Sequence, residues 1–255
     1  VQGVNEHHDL GALGAAFNVR AAERKLEILR ELGVNAIRMA HNPPASELLD
    51  LTDKMGFLVF DEVFDSWERN KTANDFHLIF SDWHEQDLRA MIRRDANHPS
   101  IMVWSIGNEV GEQNYTQELT EIATTLYAIA HDEDPTRPVT ASMNFAQPGN
   151  NGAPFPDILD VLSINYQGEG IRDTPNYAVT KGINTKPAYP LFHEDQPDKL
   201  IWTSESASTV STRGTYFFPV TDDGGAPVND SSGGNTTLAQ VSAYELYSAN
   251  FGSSP

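Results

Sequence analysis

The sequence contains no cysteine in 255 residues. Disulfides, thiolate nucleophiles and cysteine-ligated zinc or iron–sulfur centres are therefore excluded. Basic residues are scarce: 17 Lys+Arg stand against 36 Asp+Glu, a formal charge of −19. A surface of that sign repels phosphate backbones and anionic bilayers, so neither nucleic acid nor a membrane is expected as a partner. No run of about 18 apolar residues is present, so no transmembrane helix is expected. The glycine-rich loops that cradle nucleotide phosphates are missing, and so is the Gly-x-Ser-x-Gly elbow of α/β-hydrolases. His84-Glu85 has no second histidine four residues on, and His7-His8 are adjacent on a strand-like run. Zinc catalysis is accordingly disfavoured.

What is present is an alternation of short apolar runs with amphipathic stretches. Strands are expected near residues 1–7, 35–40, 57–61, 101–106, 138–142, 161–165 and 200–204. Helices are expected over Ala21–Leu32, Ala45–Met55, Phe80–Asn97, Tyr115–His131 and Thr237–Asn250. Gly33 and Gly56 stop the first two, and Ser46 is a candidate cap for the second. The third should bury Trp83, Leu88, Met91 and Ile92, and Arg89-Arg93-Arg94-Asp95 reads as a solvated face. Asn144–Pro156 and Ser211–Thr236 are rich in turn formers and read as loops, the second (211–236) as a long insertion.

Strand–helix alternation of this kind gives parallel βα units, either a doubly wound sheet or a (β/α)8 barrel. About 250 residues suits one barrel domain, here residues 1–255. Seven strands leave such a TIM barrel incomplete, with the eighth absent from this sequence. An open edge between the first and seventh strands needs a cover. Flanking domains of the same polypeptide would supply one, and so would a second copy in a homo-oligomer.

Reactive side chains in parallel α/β folds collect at the carboxyl ends of strands. Those ends are loaded here: Asn5-Glu6-His7-His8-Asp9, Arg38 with His41-Asn42, Asp61-Glu62, Asn108-Glu109, Asn165-Tyr166 and Ser204-Glu205-Ser206. Glu109 follows IMVWSIGN and Glu205 follows LIWTS. Two carboxylates on different strand ends can flank a glycosidic bond, one protonating the leaving oxygen and the other attacking the anomeric carbon or activating water. A salt-bridged or solvated strand end is the plain alternative for either one taken alone. Trp104 reads as core, whereas Trp67 suits either a sugar platform or packing beneath its loop.

Three segments resemble one enzyme family in the right order. NAIRMAHNPPASELLDLTDKMGFLVFDE resembles the signature segment of glycoside hydrolase family 2, and HPSIMVWSIGNE resembles its acid/base segment. TSESASTVSTRG resembles the nucleophile segment of its bacterial β-galactosidase branch. The resemblance implies the central catalytic (β/α)8 barrel of a retaining exo-β-glycosidase acting on β-galactosides. It implies Glu109 as general acid/base and Glu205 as nucleophile. Asn108, His41, Arg38, His7 and Tyr166 are implied as contacts to the sugar or the nucleophile. A retaining pair sets the two carboxyl groups about 5–5.5 Å apart. Family members usually carry β-sandwich domains beside the barrel, and none is read in this sequence. Work outside the cytoplasm, in the periplasm or beyond the cell, is the family habit.

The sequence departs from the pattern in places. Ser66 and Glu68 stand where metal-dependent members place magnesium ligands, so no such magnesium site and no cofactor are expected, although other oxygen ligands such as Asp65 could bind a cation. Asn42 occupies a position that is usually aromatic. A glucuronidase should show a basic cluster for the sugar carboxylate, and the few basic residues offer little for one. A β-glucuronidase, a β-mannosidase or a non-catalytic carbohydrate-binding barrel are the alternative readings.

Overall fold

Among the described residues seven strands form a single parallel sheet in sequence order, β1 to β7. They are β1 Gly3–His7, β2 Ala36–Ala40, β3 Leu58–Glu62, β4 Ile101–Asn108, β5 Val139–Met143, β6 Val161–Asn165 and β7 Leu200–Glu205. Six α-helices lie between them: α1 Val19–Glu31, α2 Ser46–Met55, α3 Phe80–Asp95, α4 Thr116–Glu133, α5 Pro154–Ile158 and α6 Tyr189–Asp195. This computed structural model describes residues 1–8, 10, 13–144, 146–149, 154–165 and 188–205. The expected helix over Thr237–Asn250 and the loop over residues 211–236 lie outside the described residues. The chain forms two compact units. The first is Val1–Ser163 with Phe192–Ser204; the second is Ile164–Leu191 with Glu205–Pro255.

Strictly sequential order with every described pairing parallel is the order of a (β/α)8 barrel rather than of a doubly wound sheet, which reverses direction part-way. Each strand found lies where the hydrophobic runs placed one, and the fourth runs on to Asn108. The helix stops are also where glycine placed them. Gly33 and Gly56 have φ of 85° and 77°, a left-handed conformation that costs glycine little.

Local details differ from the sequence reading. Asn18 caps α1, its side chain accepting from the Ala21 N–H at 3.0 Å. Ser46 is the first helical residue of α2, and no side chain caps that helix. Trp83 is 47% exposed; the core face of α3 is Phe80, Leu88, Met91 and Ile92. Phe80 fills the place expected of Trp83, because the helix presents residues 80, 88, 91 and 92 to the sheet side. The Asn144–Pro156 stretch is not wholly loop, since α5 begins at Pro154. A proline at a helix start leaves no hydrogen bond unmade, since first-turn N–H groups have no intrahelical partner.

The face between sheet and helices is apolar, built on Ile37, Val59, Trp104, Ile106 and the inward faces of α2, α3 and α4. Trp104 is fully buried, with its indole N–H donating to Asp134 at 3.0 Å. His98 fixes the turn into β4 through a 2.6 Å contact with Asp53. His131, at the end of α4, sits 2.8 Å from Asp160. Arg89 and Arg93 both reach Glu133, but Asp95 beside them is buried and held by Arg94. That part of the expected solvated face is therefore interior.

Asp61 shares this buried layer. It is fully buried, and among the described residues neither carboxylate oxygen has a hydrogen-bond partner. Burial, then the charge of Asp95, pushes its pKa well above the ordinary carboxylate value. Below about pH 4 native and unfolded chains both hold the proton. As pH rises the unfolded chain releases it first, so stability falls until the native pKa is passed. Asp61→Asn is expected to remove that fall and to raise the unfolding midpoint by a few degrees at pH 8, with little change at pH 4. Thermal unfolding at the two pH values checks this, and an equal shift at both would contradict it.

Candidate active site

A network of buried polar groups joins β2, β3 and β4 toward their carboxyl ends. Arg38 on β2 and Glu62 on β3 are only 4% and 0% exposed. The guanidinium grips the carboxylate through Nη2, at 2.9 Å to each oxygen, and through Nε at 3.2 Å. Burying two charges is costly unless every donor and acceptor is used. Here Glu62 also accepts from the Ser105 hydroxyl at 2.7 Å, and His41 Nδ1 lies 2.7 Å from its other oxygen. A carboxylate acceptor makes that nitrogen the protonated one. Arg38 Nη2 further donates to the Asn108 side-chain oxygen at 2.7 Å.

Strand alternation explains which residues meet. Arg38 pairs in register with Phe60, so Arg38, Phe60 and Glu62 share one face of the sheet. On β4, Ser105 and Asn108 are three residues apart, and strict alternation would send them to opposite faces. The register slips by one residue between them: Ser105 faces Thr140 but Asn108 faces Ser142. The bulge turns both toward the Arg38–Glu62 pair. Gly107 lies inside it, and a Cβ there would fall 2.9 Å from the Trp67 indole nitrogen. Trp67 is fully buried and donates to the Ile106 carbonyl at 2.8 Å, so it packs beneath its loop and is no sugar platform.

Glu109 is the residue immediately after β4. It is half-buried and has φ of 44°, unique among the described non-glycine residues. A left-handed backbone at a residue with a Cβ costs on the order of 1–3 kcal/mol and is characteristic of functional sites. Its N–H donates to the Ser142 carbonyl at 2.9 Å. Asn108 is gripped from the other side by Asp65, which accepts from its side-chain nitrogen at 2.9 Å. Lys71 closes the group, donating to Asp65 at 2.6 Å and to the Asn108 carbonyl at 2.7 Å. Burial pushes the Asp65 pKa up, but the bonds from Asn108 and Lys71 outweigh it and leave it below the usual value.

The two neighbouring histidines part company. His7 shares the register face of Arg38, and its ring meets the edge of His41 with centroids 5.0 Å apart. His8 turns away to the Ala15 carbonyl and stacks on Phe17. A cavity of about 450 Å³ opens beside His41 and Asp65, with Phe76 and Met91 as apolar wall. Asp75, Asp87 and Arg94 also line it, so polar and apolar groups mix around the cavity.

Of the residues singled out from the sequence, His7, Arg38, His41, Asn108 and Glu109 fall in this part of the first unit. Glu205 is the last residue of β7, half-buried, and belongs to the second unit. Tyr166 lies outside the described residues. Sequence reasoning noted Glu62 only as one more polar strand end and missed Ser105 and Lys71. Alternation from Phe60 could have flagged Glu62, whereas the slip on β4 hides Ser105 and Lys71 sits in a loop without period. Ser66, at one of the two positions where metal-dependent relatives place ligands, is buried, and Glu68 at the other accepts from Ser81 at 3.2 Å. Among the described residues no group of three or more His, Asp or Glu is placed to hold a metal ion.

This constellation has relatives. The family model "Glycosyl hydrolases family 2, TIM barrel domain" matches residues 1–193. A β-galactosidase of Bacteroides ovatus is 41% identical over 252 residues, 86% of this chain and 27% of that protein. A β-glucuronidase of Bacteroides fragilis is 36% identical over 152 residues, 59% of this chain and 21% of that protein. Among solved structures, a family 2 member from Bacteroides cellulosilyticus superposes with a TM-score of 0.69 at 37% identity, covering 82% of this chain and 24% of that one. A β-glycosidase from Bacteroides vulgatus gives 0.66 at 34% identity, covering 84% and 24%. The chain thus spans about a quarter of the length of these relatives. Sheet order, the polar strand ends and the match across three quarters of the sequence agree, and the chain belongs to glycosyl hydrolases family 2, whose TIM barrel domain it carries.

Proposed function

We propose that this chain is the catalytic barrel of a retaining exo-β-glycosidase whose favoured substrate is a terminal β-galactoside. The observation that carries this reading is Glu109: a carboxylate in a left-handed backbone at the mouth of β4, directly after an asparagine locked to a buried Arg–Glu pair. A general acid has to be held within hydrogen-bond reach of the oxygen it protonates, and a tethered backbone at Glu109 supports that role.

In the proposed reaction Glu205 attacks the anomeric carbon. The bond from that carbon to the leaving oxygen breaks, and Glu109 gives that oxygen its proton. Glu109 then takes a proton from water as the water displaces Glu205, with net retention. Asn108 and His41 present polar atoms to the sugar, with His7 at the His41 edge. Tyr166 is assigned to the nucleophile's side. Arg38 and Glu62 hold these groups rather than react.

Two considerations favour galactose over glucuronic acid. The β-galactosidase relative is matched over more of this chain, at higher identity, than the β-glucuronidases. Both cations described around Asn108 are already committed, Arg38 to Glu62 and Lys71 to Asp65, so neither is spare for a sugar carboxylate.

The full-length protein is expected to release chromophore from an aryl β-galactoside, and much less from the β-glucuronide and β-mannoside. Glu205→Gln should lower that rate by more than about 10⁴-fold. Proton NMR should show the β-anomer of the sugar released first. A faster glucuronide would move the assignment to the other sugar; inversion would refute the double displacement.

Glu62→Gln leaves Arg38 buried without its counter-charge. It is expected to cost about 3–5 kcal/mol of stability and to lower activity with it. Denaturant unfolding beside the unaltered protein measures the loss, and a cost below about 1 kcal/mol would show the pair to be solvated.

A further inference from the structure

The peptide joining Asn108 to Glu109 is held at both polar ends. Its N–H donates to the Ser142 carbonyl at 2.9 Å, and its carbonyl accepts from Lys71 Nζ at 2.7 Å. This peptide plane sets the φ of Glu109, the one non-glycine residue with positive φ among those described. An L-residue leaves that region readily unless neighbours hold it there. Ser142 belongs to the adjoining strand, so its carbonyl is part of the sheet. Lys71 comes from the β3–α3 loop and is the only side chain described on the carbonyl end.

That loop is built to carry the lysine. Asp75 accepts from the N–H groups of Lys71 and Thr72, both at 2.7 Å, from the His77 N–H at 3.0 Å, and lies 2.6 Å from His77 Nδ1. Burial pushes the Asp75 pKa up, but these donors outweigh it and hold it far below the usual range. The Lys71 side chain is a quarter exposed, and its ammonium has two partners, Asp65 and the Asn108 carbonyl. Asp65 in turn holds the Asn108 side chain. A lysine serving only the loop would face solvent or a single surface acid.

We propose that Lys71 is a positioning residue for the acid/base: by pinning the Asn108 carbonyl it keeps Glu109 aimed at the leaving-group oxygen. The inference rests on the glycosidase reading above. Its consequence falls on one half of the chemistry. When the bond between the anomeric carbon and the leaving oxygen breaks, the electron pair stays on that oxygen and takes up the Glu109 proton. A poor leaving group, such as an alkyl or sugar alcohol, needs the proton; a dinitrophenolate leaves without it.

The test uses the full-length protein with Lys71→Met and Lys71→Arg, each assayed on a methyl β-glycoside and a 2,4-dinitrophenyl β-glycoside. Lys71→Met is expected to lower kcat/KM about 10- to 100-fold on the methyl glycoside, since general acid catalysis contributes about 10²–10⁴-fold in all. On the dinitrophenyl glycoside the formation of the glycosyl-enzyme, read as the pre-steady-state burst, is expected to change less than about threefold. Lys71→Arg keeps a cationic donor and should recover most of the loss. An equal fall on both substrates would mean a general structural role and overturn the proposal, as would no change on either. A misfolded variant is recognised separately by its unfolding midpoint, in which case Lys71→Arg alone decides through the same ratio of substrates. If the unaltered protein turns over neither substrate, the glycosidase reading fails and this inference falls with it.

Discussion

The buried ion pair between Arg38 and Glu62 is the interaction on which the site depends. Two charges in a water-poor interior are tolerable only when every lone pair and every proton finds a partner. That requirement makes the pair an organiser. Glu62 draws in Ser105 and His41, and Arg38 draws in Asn108. Three strands and the turn after β2 are thereby brought to one geometry. A hydrophobic pair of similar size would pack as well, but it would not fix the orientation of an imidazole or an amide. In the proposed reaction this network makes groups assigned to the sugar rest on groups that do not touch it.

The backbone of β4 leads from that fixed centre to Glu109. An ordinary strand would alternate Ser105 and Asn108 to opposite faces and end in extended conformation. The one-residue slip places both on the same side, and the left-handed Glu109 turns the chain sharply at the mouth. Neither feature comes free. The slip needs Gly107 beneath the Trp67 ring, and the turn needs its peptide tied to Ser142 and Lys71. The wall of aromatic and apolar groups under this turn, Trp67, Phe64 and Phe80 among them, is therefore as much part of the site as the polar atoms.

The neighbouring strand, β3, carries an acid on each of its faces. Glu62 looks to the site and is satisfied; Asp61 looks to α3, where Asp95 is already taken by Arg94. Alternation makes this unavoidable for two adjacent acids on a buried parallel strand. One of them meets partners and the other meets a helix. The difference in their surroundings, rather than in their chemistry, makes Glu62 a structural anion and Asp61 a carboxyl that burial favours as neutral.

The βα alternation, the seven strands and the glycine stops are legible in the sequence, because hydrophobic periodicity and positive φ are local properties of the chain. The sequence also carried the family resemblance and brought Arg38, His41, Asn108 and Glu109 to notice, since each stands within a step of the end of an apolar run. It could not show that Trp67 is buried or that Trp83 is exposed, because both depend on which side of a loop or helix the neighbours cover. The hub role of Glu62, the hydroxyl of Ser105 and the reach of Lys71 emerge from the folded arrangement alone. Glu62 meets partners 21 to 43 residues away in sequence through parallel pairing, a bulge reversed the parity of β4, and a loop with no periodicity delivered an ammonium to one carbonyl. Such contacts join segments far apart in sequence, and no local pattern encodes a meeting that the register of the strands creates.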